Sequence, residues 1–215
     1  MKLKHLLSRK LLENMTEKRR KDHFYFLARR LGYRSRAAFK LKELADRFRI
    51  FRRGAVVVDL GAAPGGWIQV AREHVGQDGF VLGVDLNPIK PFPWSNVKLL
   101  RLDVTSPGAP QLILEALPRK ADVVLSDLSP KVSGVWELDV ARQASLVESA
   151  LKVIDEVLKP RGSAVLKMFQ GYSFQEAFKE VKGRFESVKL TRPRASRSSS
   201  AEIYAVALLF KGGEG

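Results

Sequence analysis

A lysine lies inside an apolar stretch of the sequence, where a charged side chain is normally unfavourable. Lys167 interrupts the run Ala164-Val-Leu-Lys-Met-Phe169, which has the length and composition of a buried strand. A buried cation needs a partner or a function, although a lysine can also extend its amine beyond the strand end into water. Asp127, in Ser126-Asp-Leu-Ser-Pro130, directly follows another strand-like run and is the expected partner. A lysine placed in this way can take or orient the proton of an alcohol.

A glycine-rich loop follows the first strand-like run of the chain. Its sequence is Gly61-Ala-Ala-Pro-Gly-Gly-Trp67, and the absence of a Cβ at glycine lets a ligand approach the backbone closely. The dinucleotide fingerprint requires glycine where Ala63 stands, and the Gly-Lys-Ser/Thr of a P-loop is missing. The loop therefore favours a nucleoside ligand without a pyrophosphate, and the alternative is a tight turn with no ligand.

Three further carboxylates close successive strand-like segments, and the first of them is Asp59, just before the glycine loop. Asp85 lies at the end of one segment, where a carboxylate can accept hydrogen bonds from both hydroxyls of a ribose. Asp103 follows the next segment and is placed to accept from the amino group of an adenine. Each acid alone could be an ordinary helix cap or loop carboxylate. Together with the glycine loop they predict a pocket for an adenosine with a non-phosphate tail, a description that S-adenosylmethionine fits.

The residue types around these motifs narrow the acceptor of a methyl group. The chain has no cysteine, the usual nucleophile for methylation of a base carbon. Asp127 is followed by Leu-Ser-Pro and not by the Pro-Pro-aromatic corner typical of amine methylation. An alcohol therefore fits better as the methyl acceptor. Alignment of that hydroxyl with the methyl group can by itself lower the barrier by up to roughly 7–11 kcal/mol. Whether Lys167 takes the proton or orients the hydroxyl is left open, because Asp127 favours the protonated amine.

Alternating strands and helices must position these motifs. That alternation predicts an α/β fold with a mostly parallel sheet, helices on both faces, and ligands beyond the carboxyl ends of the strands. Ser35 is the expected N-cap of the first helix, and Lys159-Pro-Arg-Gly162 is expected to separate a long helix from the next strand. The predicted strands cover residues 55–60, 80–86, 97–102, 121–126, 163–169, 185–191 and 202–210, and the predicted helices cover 35–48, 67–75, 107–117, 139–158 and 174–181.

The charge of the chain indicates an anionic polymer as partner. The 215 residues carry a formal net charge of +15, and residues 1–36 contain 12 Lys or Arg against three acids. Aromatic residues among these charges, Phe24, Tyr25, Phe26 and Tyr33, offer stacking faces for nucleic acid. A solvated basic tail, or attraction of the tail to an anionic membrane surface, is the alternative.

We expect a basic helical extension over 1–33 and a catalytic domain over 34–215. Without a membrane-spanning run or a signal peptide, the expected location is the cytoplasm.

Several motifs, in this order, resemble those of the FtsJ-type (RrmJ-like) ribosomal RNA 2'-O-ribose methyltransferases. They are RSRAAFKL at 34–41, DLGAAPGGW at 59–67, SDLSPKVSG at 126–134, LKMFQG at 166–171 and SRSSSAEIY at 196–204. The resemblance extends over nearly the whole chain from about residue 20. It implies a Rossmann-like S-adenosylmethionine-dependent methyltransferase fold, with a seven-stranded sheet whose reversed last strand, 202–210, lies antiparallel between its neighbours.

The resemblance also assigns roles to individual residues. It implies a catalytic tetrad of Lys40, Asp127, Lys167 and Glu202, with Lys167 as the expected proton acceptor. The cofactor contacts implied by the family motifs and the glycine loop are Gly61, Gly65, Gly66, Trp67, Asp85, Asp103 and Asp127. The expected RNA contacts are Arg34, Arg36, Lys131, Arg192, Arg194 and Arg197. Lys131 departs from the asparagine of bacterial members and leaves the exact substrate open, and the serine-rich loop at 192–200 could equally be a solvated linker.

These observations predict a specific function. The expected reaction is methylation of a uridine 2'-hydroxyl in 23S (large-subunit) ribosomal RNA, by a monomer without a metal. One alternative is ribose methylation of a tRNA anticodon loop. The other is a non-catalytic RNA-binding factor of ribosome assembly, against which the intact tetrad argues.

Overall fold

The computed structural model describes residues 23–197 and 200–212, which form one sheet with helices on both faces. The strands are β1 Val56–Leu60, β2 Phe80–Asp85, β3 Val97–Arg101, β4 Ala121–Ser126, β5 Leu158–Phe169, β6 Phe185–Thr191 and β7 Glu202–Phe210. The helices are α1 (23–30 of the described residues), α2 Ala38–Phe48, α3 Gly66–Val75, α4 Ala109–Glu115, α5 Trp136–Val157 and α6 Phe174–Arg184.

The strand order in the sheet is β3-β2-β1-β4-β5-β7-β6. Neighbours from β3 through β5 pair in parallel, whereas β7 pairs antiparallel with both β5 and β6. The predicted mostly parallel sheet with a reversed last strand is therefore confirmed. Because the parallel strands all end at one edge, the motifs that follow β1, β2, β3 and β4 are brought together there.

Apolar side chains fill both faces of the sheet, which explains why the central strands read as continuous apolar runs. On one face, Val124 of β4 packs with residues of α4, α5 and α6. On the other face, Val123 and Leu125 of the same strand pack with α2 and α3. This second core also includes Ala28 and Tyr33, so the described part of the predicted N-terminal extension packs onto the domain. Residues 1–22 lie outside the described residues, and the boundary at 33 stays a prediction.

Ser35 is not the N-cap of the helix that contains Lys40. The helix begins at Ala38, its N-cap is Ala37, and no side chain caps it. The backbone carbonyl of Ser35 instead accepts a hydrogen bond from the Ala38 amide at 3.3 Å, in a turn before the helix. The Ser35 side chain packs so closely on Gly66 that a Cβ at that glycine would collide with it. The serine thus supports the glycine loop, a tertiary contact that local capping rules do not predict.

The segment Lys159–Gly162 does not separate α5 from the next strand as predicted. Strand β5 begins at Leu158, immediately after α5 ends, and its register with β4 shifts, so that Ala121 pairs with Leu158 but Val123 with Ser163. The extra residues bulge out of the ladder, and Arg161 adopts a positive φ of 63° there. Proline and glycine in this segment are accommodated by the irregularity.

Among residues 23–197 and 200–212, no helix combines the length and the hydropathy that crossing a bilayer requires.

Candidate active site and cofactor pocket

The four residues of the predicted tetrad meet at the carboxyl edge of the sheet. The Lys167 amine donates to the Asp127 backbone carbonyl at 2.7 Å and lies 3.3 Å from the Asp127 carboxylate. The Lys40 amine lies 2.5 Å from the Glu202 carboxylate. Lys40 and Lys167 are only 9% and 6% exposed, respectively. Two buried lysines, each paired with a carboxylate, are thus held side by side at one site.

Tyr204, to which we assigned no role from the sequence, connects the two ion pairs. Its hydroxyl donates to the Asp127 carboxylate at 2.7 Å and accepts from the Lys40 amine at 3.2 Å. Burial, and then the charges of Asp127 and Glu202, raise the pKa of Tyr204 well above its ordinary value, so the phenol stays neutral. The sequence feature that could have predicted a role for Tyr204 was its position two residues after Glu202, because alternate residues of a strand lie on the same face of the sheet.

Glu202 is ionised in spite of its burial. Burial acts to raise the pKa of Glu202, but the charge and the hydrogen bond of Lys40 outweigh it, with smaller contributions from Ser196 and Lys167. The pKa of the carboxyl group is therefore lowered overall. The charged pair keeps the Lys40 amine close to Tyr204 and fixes the hydroxyl between the two halves of the site.

A cavity of about 610 Å³ lies next to the tetrad and shares Asp127 with it. Four of the predicted cofactor residues line this cavity, namely Gly61, Asp85, Asp103 and Asp127. Lys131, which was predicted to contact RNA, also lines it. Its volume is in the range of pockets for small molecules and cofactors. The cavity therefore brings a candidate cofactor within reach of the residues that would act on an acceptor.

The carboxylates of Asp85 and Asp103 are oriented by the loops that hold them. Asp85 accepts from the amide of Ala63 at 2.9 Å and from the amide of Asn87 at 2.7 Å, so it ties the glycine loop to the loop after β2. Asp103 accepts from the hydroxyl and the amide of Thr105, and these hydrogen bonds lower its pKa. Asp103 thus stabilises its own turn and also lines the cavity, while its contact with an adenine amine stays a prediction.

Gly65, Gly66 and Trp67 do not line the cavity. A Cβ at Gly65 would lie 2.7 Å from the ring of Phe92, so packing of the loop itself requires glycine there. The Trp67 ring is 3% exposed, donates to the Ala37 carbonyl at 2.8 Å and lies 5.9 Å from the Tyr204 ring. The indole thus supports the tetrad from within the core. Cofactor contacts by these three residues stay predictions, and for Trp67 they would involve the backbone.

Asp59, inside β1, is the most unusual carboxylate of the described residues. It is fully buried, and neither carboxylate oxygen has a hydrogen-bond partner among the described residues. Burial, and then the charges of Asp127 and Asp85, raise its pKa well above the ordinary value. An acid in this state, whose charge neighbours Asp85 and Asp127 line the cavity, is typical of a ligand or functional site. From the sequence, Asp59 was one of three acids that close successive strands, and it had no role of its own.

Arg34, predicted to contact RNA, directs its guanidinium into the protein. It donates to the backbone carbonyls of Pro64, Lys90 and Pro91 at 3.3, 2.5 and 2.8 Å. Its guanidinium carbon also lies 3.5 Å from the centre of the Phe92 ring. These contacts join the glycine loop to the loop after β2, and both loops contribute residues to the cavity. An RNA contact by Arg34 stays a prediction beside this observed bracing role.

The serine-rich loop at 192–200, termed the arginine loop, contacts α2 through its described residues. Arg36 donates to the Ala195 carbonyl at 3.1 Å, and the Arg194 amide donates to the Glu43 carboxylate at 2.7 Å. The Arg192 guanidinium binds the carbonyls of Glu202 and Ser200 within the same loop. The side chains of Arg194 and Arg197 are exposed. Arg192 and Arg194 also line a second cavity of about 740 Å³ with Phe24, Phe39, Lys42 and Arg47.

The aromatic residues expected to stack on nucleic acid are not equally available. Tyr25 and Phe26 are exposed, whereas Tyr33 is buried and its hydroxyl donates to Glu73. Phe24 is half-buried and packs on Phe39, with 5.5 Å between the ring centres. Tyr33 is therefore part of the core and not a stacking surface. Within the described part of the chain, no group of three or more His, Cys, Asp or Glu side chains could hold a metal ion.

Comparison with known proteins gives a consistent set of relatives. A protein of Methanocaldococcus jannaschii named ribosomal RNA large subunit methyltransferase E is 47% identical over 90% of this chain and 80% of its own length. A protein of the same name from Methanothermobacter thermautotrophicus is 43% identical over 91% of this chain and 93% of its own. A crystal structure described as a ribosomal RNA methyltransferase from Plasmodium falciparum superposes with a TM-score of 0.73 at 27% identity, covering 84% of this chain and 100% of that one.

The family is shown by a match that extends over most of the domain. The model of the FtsJ-like methyltransferases matches residues 33–210, from the end of the N-terminal segment to the end of β7. Both the cavity and the tetrad lie within the matched range. The chain belongs to the FtsJ-like methyltransferase family.

Proposed function

We propose that the protein transfers the methyl group of S-adenosylmethionine to a ribose 2'-hydroxyl of large-subunit ribosomal RNA, at a uridine. The observation that carries the proposal is the position of Asp127. Its carboxylate borders the 610 Å³ cavity and also lies 3.3 Å from the buried amine of Lys167. A methyl donor in the cavity and an acceptor hydroxyl at Lys167 would therefore meet across this one residue.

The chemistry of the cavity fits that cofactor. Three carboxylates, those of Asp85, Asp103 and Asp127, line it, and the charges of Asp85 and Asp127 act on the buried Asp59 behind them. S-adenosylmethionine carries a positive sulfonium and a positive ammonium. An acidic cavity, within a protein of net charge +15, therefore favours binding of this cofactor over binding of an anionic dinucleotide. Asp85 would accept from the ribose hydroxyls and Asp103 from the adenine amine. When bound, the cofactor supplies an electrophilic methyl carbon.

The residues of the tetrad then act on the acceptor. Lys167 would act in its unprotonated form: its amine would accept the proton that the 2'-hydroxyl loses when the hydroxyl oxygen takes the methyl group, which the bound cofactor would supply. Asp127 holds that amine in place through its backbone carbonyl and its carboxylate. Tyr204, neutral and hydrogen-bonded to Asp127, fixes the carboxylate, and the Lys40–Glu202 pair fixes Tyr204. Correct alignment of hydroxyl and methyl carbon supplies much of the rate.

The choice of RNA rests on relatives and on charge. The archaeal relatives with 43% and 47% identity are named for the RNA of the large ribosomal subunit. Contacts to phosphates are offered by the exposed side chains of Arg194 and Arg197 and by the second cavity, whose lining has four cations against two carboxylates. The uridine target follows from the family resemblance. A monomeric state and a cytoplasmic location also stay predictions.

The test is methyl transfer from labelled cofactor to purified ribosomal subunits, extracted ribosomal RNA and bulk tRNA. We expect label in large-subunit RNA, in a ribose that resists alkaline cleavage at the modified position. Lys167→Ala should lower the rate at least about 100-fold, while Lys152→Ala, at an exposed position of α5, should leave it unchanged.

Three outcomes would contradict the proposal in different ways. Transfer to tRNA alone would replace the ribosomal substrate with an anticodon loop. Undiminished activity of Lys167→Ala would show that the reacting site is wrong. Tight RNA binding without transfer to any RNA would favour the non-catalytic assembly factor.

A further inference from the structure

Two aromatic rings form a stack at the rim of the candidate active site. Trp136, the first residue of α5, has its ring centre 6.1 Å from that of Phe169, with 17° between the ring planes. Phe169 ends β5 two residues after Lys167 and is the register partner of Glu202 on β7. Register partners have Cβ atoms about 4.5–5.5 Å apart. The stack therefore adjoins both a lysine and a carboxylate of the tetrad.

The position of Trp136 on its helix explains why the ring is both oriented and exposed. Helix α5 packs on the sheet through a buried stripe that includes Val140, Gln143 and Val147. Trp136 lies one turn before Val140 on the same stripe. Its ring partner Phe169 is the last residue of β5, however, and Trp136 is 46% exposed. A core-facing position has thus become an exposed aromatic surface above the site.

The surroundings of the stack match a nucleotide. Exposed apolar residues adjoin it in the chain, in the loop before α5, in the first turn of α5 and in the loop after β5, namely Val132, Val135, Leu138 and Tyr172. Two cations, Lys131 and Arg142, lie beside them, and Arg142 donates to the Lys131 carbonyl at 3.5 Å. Aromatic faces next to positive charges bind single-stranded RNA, because bases stack on the rings while cations contact phosphates.

The proposed reaction places a base close to this surface. The acceptor hydroxyl must reach the Lys167 amine, and the base of the same nucleotide is attached to the neighbouring carbon of the ribose. The base therefore lies within about one sugar width of the tetrad, and β5, which carries Lys167, ends two residues later at Phe169, the ring partner of Trp136. We propose that Trp136, supported from behind by Phe169, stacks on the base of the nucleotide whose ribose is methylated. The inference rests on the proposed function and adds a base contact that holds the ribose in position.

The first experiment measures kinetics on extracted large-subunit ribosomal RNA. Trp136→Ala should raise the KM for RNA about tenfold, equivalent to about 1.4 kcal/mol, within the range for loss of one base stack. Trp136→Phe keeps an aromatic face and should stay within about threefold of the wild type. Trp94→Phe, on the loop before β3, is the matched control and should behave as the wild type. The affinity for S-adenosylmethionine should not change in any of the three variants.

The second experiment does not depend on the alanine variant folding. A 12-residue oligouridylate should quench part of the tryptophan fluorescence of the wild type and of Trp94→Phe. The same quenching should be lost in Trp136→Phe, which removes the fluorescent indole but keeps an aromatic ring at this position. Quenching that persists in Trp136→Phe would overturn the proposal.

The outcomes separate this inference from the proposed function. If the wild type transfers no methyl group to any RNA, the proposed function fails, whatever the quenching shows. If transfer is normal and Trp136→Ala leaves the KM for RNA unchanged, only the stacking proposal fails. A defect on assembled subunits together with an unchanged KM on extracted RNA would assign the ring to a ribosomal protein and would also overturn it.

Discussion

Strand β4 carries an aspartate at each end, and the two carboxylates have opposite surroundings. At the amino end, Asp122 is buried but lies within 2.7 Å of Lys159, Arg52 and Arg119, and it accepts from the Val56 amide at 2.8 Å. Burial acts to raise the pKa of Asp122, but these partners lower it strongly overall. At the carboxyl end, Asp127 has one lysine at 3.3 Å and the hydroxyl of Tyr204.

The difference shows that the amino end of β4 contributes to stability, whereas its carboxyl end contributes to the candidate site. The amino end surrounds a single carboxylate with cations, an arrangement that favours the folded state. The carboxyl end gathers Asp59, Asp85 and Asp127, and the charges of Asp127 and Asp85 disfavour ionisation of Asp59. Such a cluster is unfavourable in the isolated protein but favourable for a positively charged ligand. In a parallel sheet, ligands bind at this edge, so the acids concentrate where the strands end.

The largest expected effect concerns activity at the carboxyl end. Asp127→Asn removes the charge that holds Lys167 and weakens the hydrogen bond from Tyr204. We expect methyl transfer to fall about 10²–10⁴-fold, as for loss of a group that acts in proton transfer. Thermal unfolding measured in parallel should show a folded protein. Activity within a factor of about three of the wild type would contradict the role of Asp127.

The next effect concerns stability at the amino end. Asp122→Ala leaves three cations and a buried amide without their shared acceptor. We expect a loss of about 3 kcal/mol, the lower end of the range for breaking a buried ion pair, because the cations are partly exposed. The turnover of the molecules that remain folded should not change. Urea unfolding curves and activity at a permissive temperature check both statements, and a variant of wild-type stability would refute the first.

The pH dependence of the two ends should also differ in sign. The pKa of Asp122 is lowered in the folded state, so its contribution is present above the unfolded value of about 3.9 and is lost as pH falls below it. The pKa of Asp59 is raised, so its charge destabilises the fold at neutral pH and this penalty is relieved as pH falls towards about 3.9. Asp59→Asn removes the ionisable group and with it this penalty, so the variant should be more stable than the wild type at pH 7.

The gain from Asp59→Asn should shrink on acidification and should be accompanied by weaker binding of S-adenosylmethionine. Calorimetric unfolding at pH 7 and pH 5 and cofactor titrations measure the two quantities. A variant that is less stable than the wild type at pH 7 would show that the Asp59 carboxylate is not destabilising.

The smallest effect sharpens the comparison at the cavity itself. Arg34→Lys keeps the charge but cannot span the carbonyls of Pro64, Lys90 and Pro91. We expect about a fivefold loss of affinity for S-adenosylmethionine with an unchanged KM for RNA. Arg36→Lys, which loosens the arginine loop at Ala195, should give the reverse pattern. A change confined to the KM for RNA in Arg34→Lys would restore the RNA contact predicted from the sequence.

Regular elements were predictable because their signals are local. Strands β4, β6 and β7 have the predicted bounds, since runs of β-forming residues end at turns that the sequence itself marks. The irregular start of β5 was not predictable, because its bulge depends on pairing with β4. Ser35 was misassigned for the same kind of reason, since its side chain is used by Gly66 on another segment.

Residue types and their spacing were sufficient to identify an α/β sheet, an acidic pocket at its carboxyl edge and a lysine that needs a partner. The family resemblance grouped the four residues of the tetrad, but only the tertiary structure decided which side chains touch and through which partners. Lys40 and Glu202 are 162 positions apart, and their contact through Tyr204 to Asp127 exists because α2, β4 and β7 converge at one edge. The tertiary structure also buries the Trp67 ring in the core and places the Arg34 guanidinium against the glycine loop and the loop after β2. Hydrophobic periodicity is a property of neighbouring residues, whereas the direction and the partners of a side chain depend on elements that are distant in sequence.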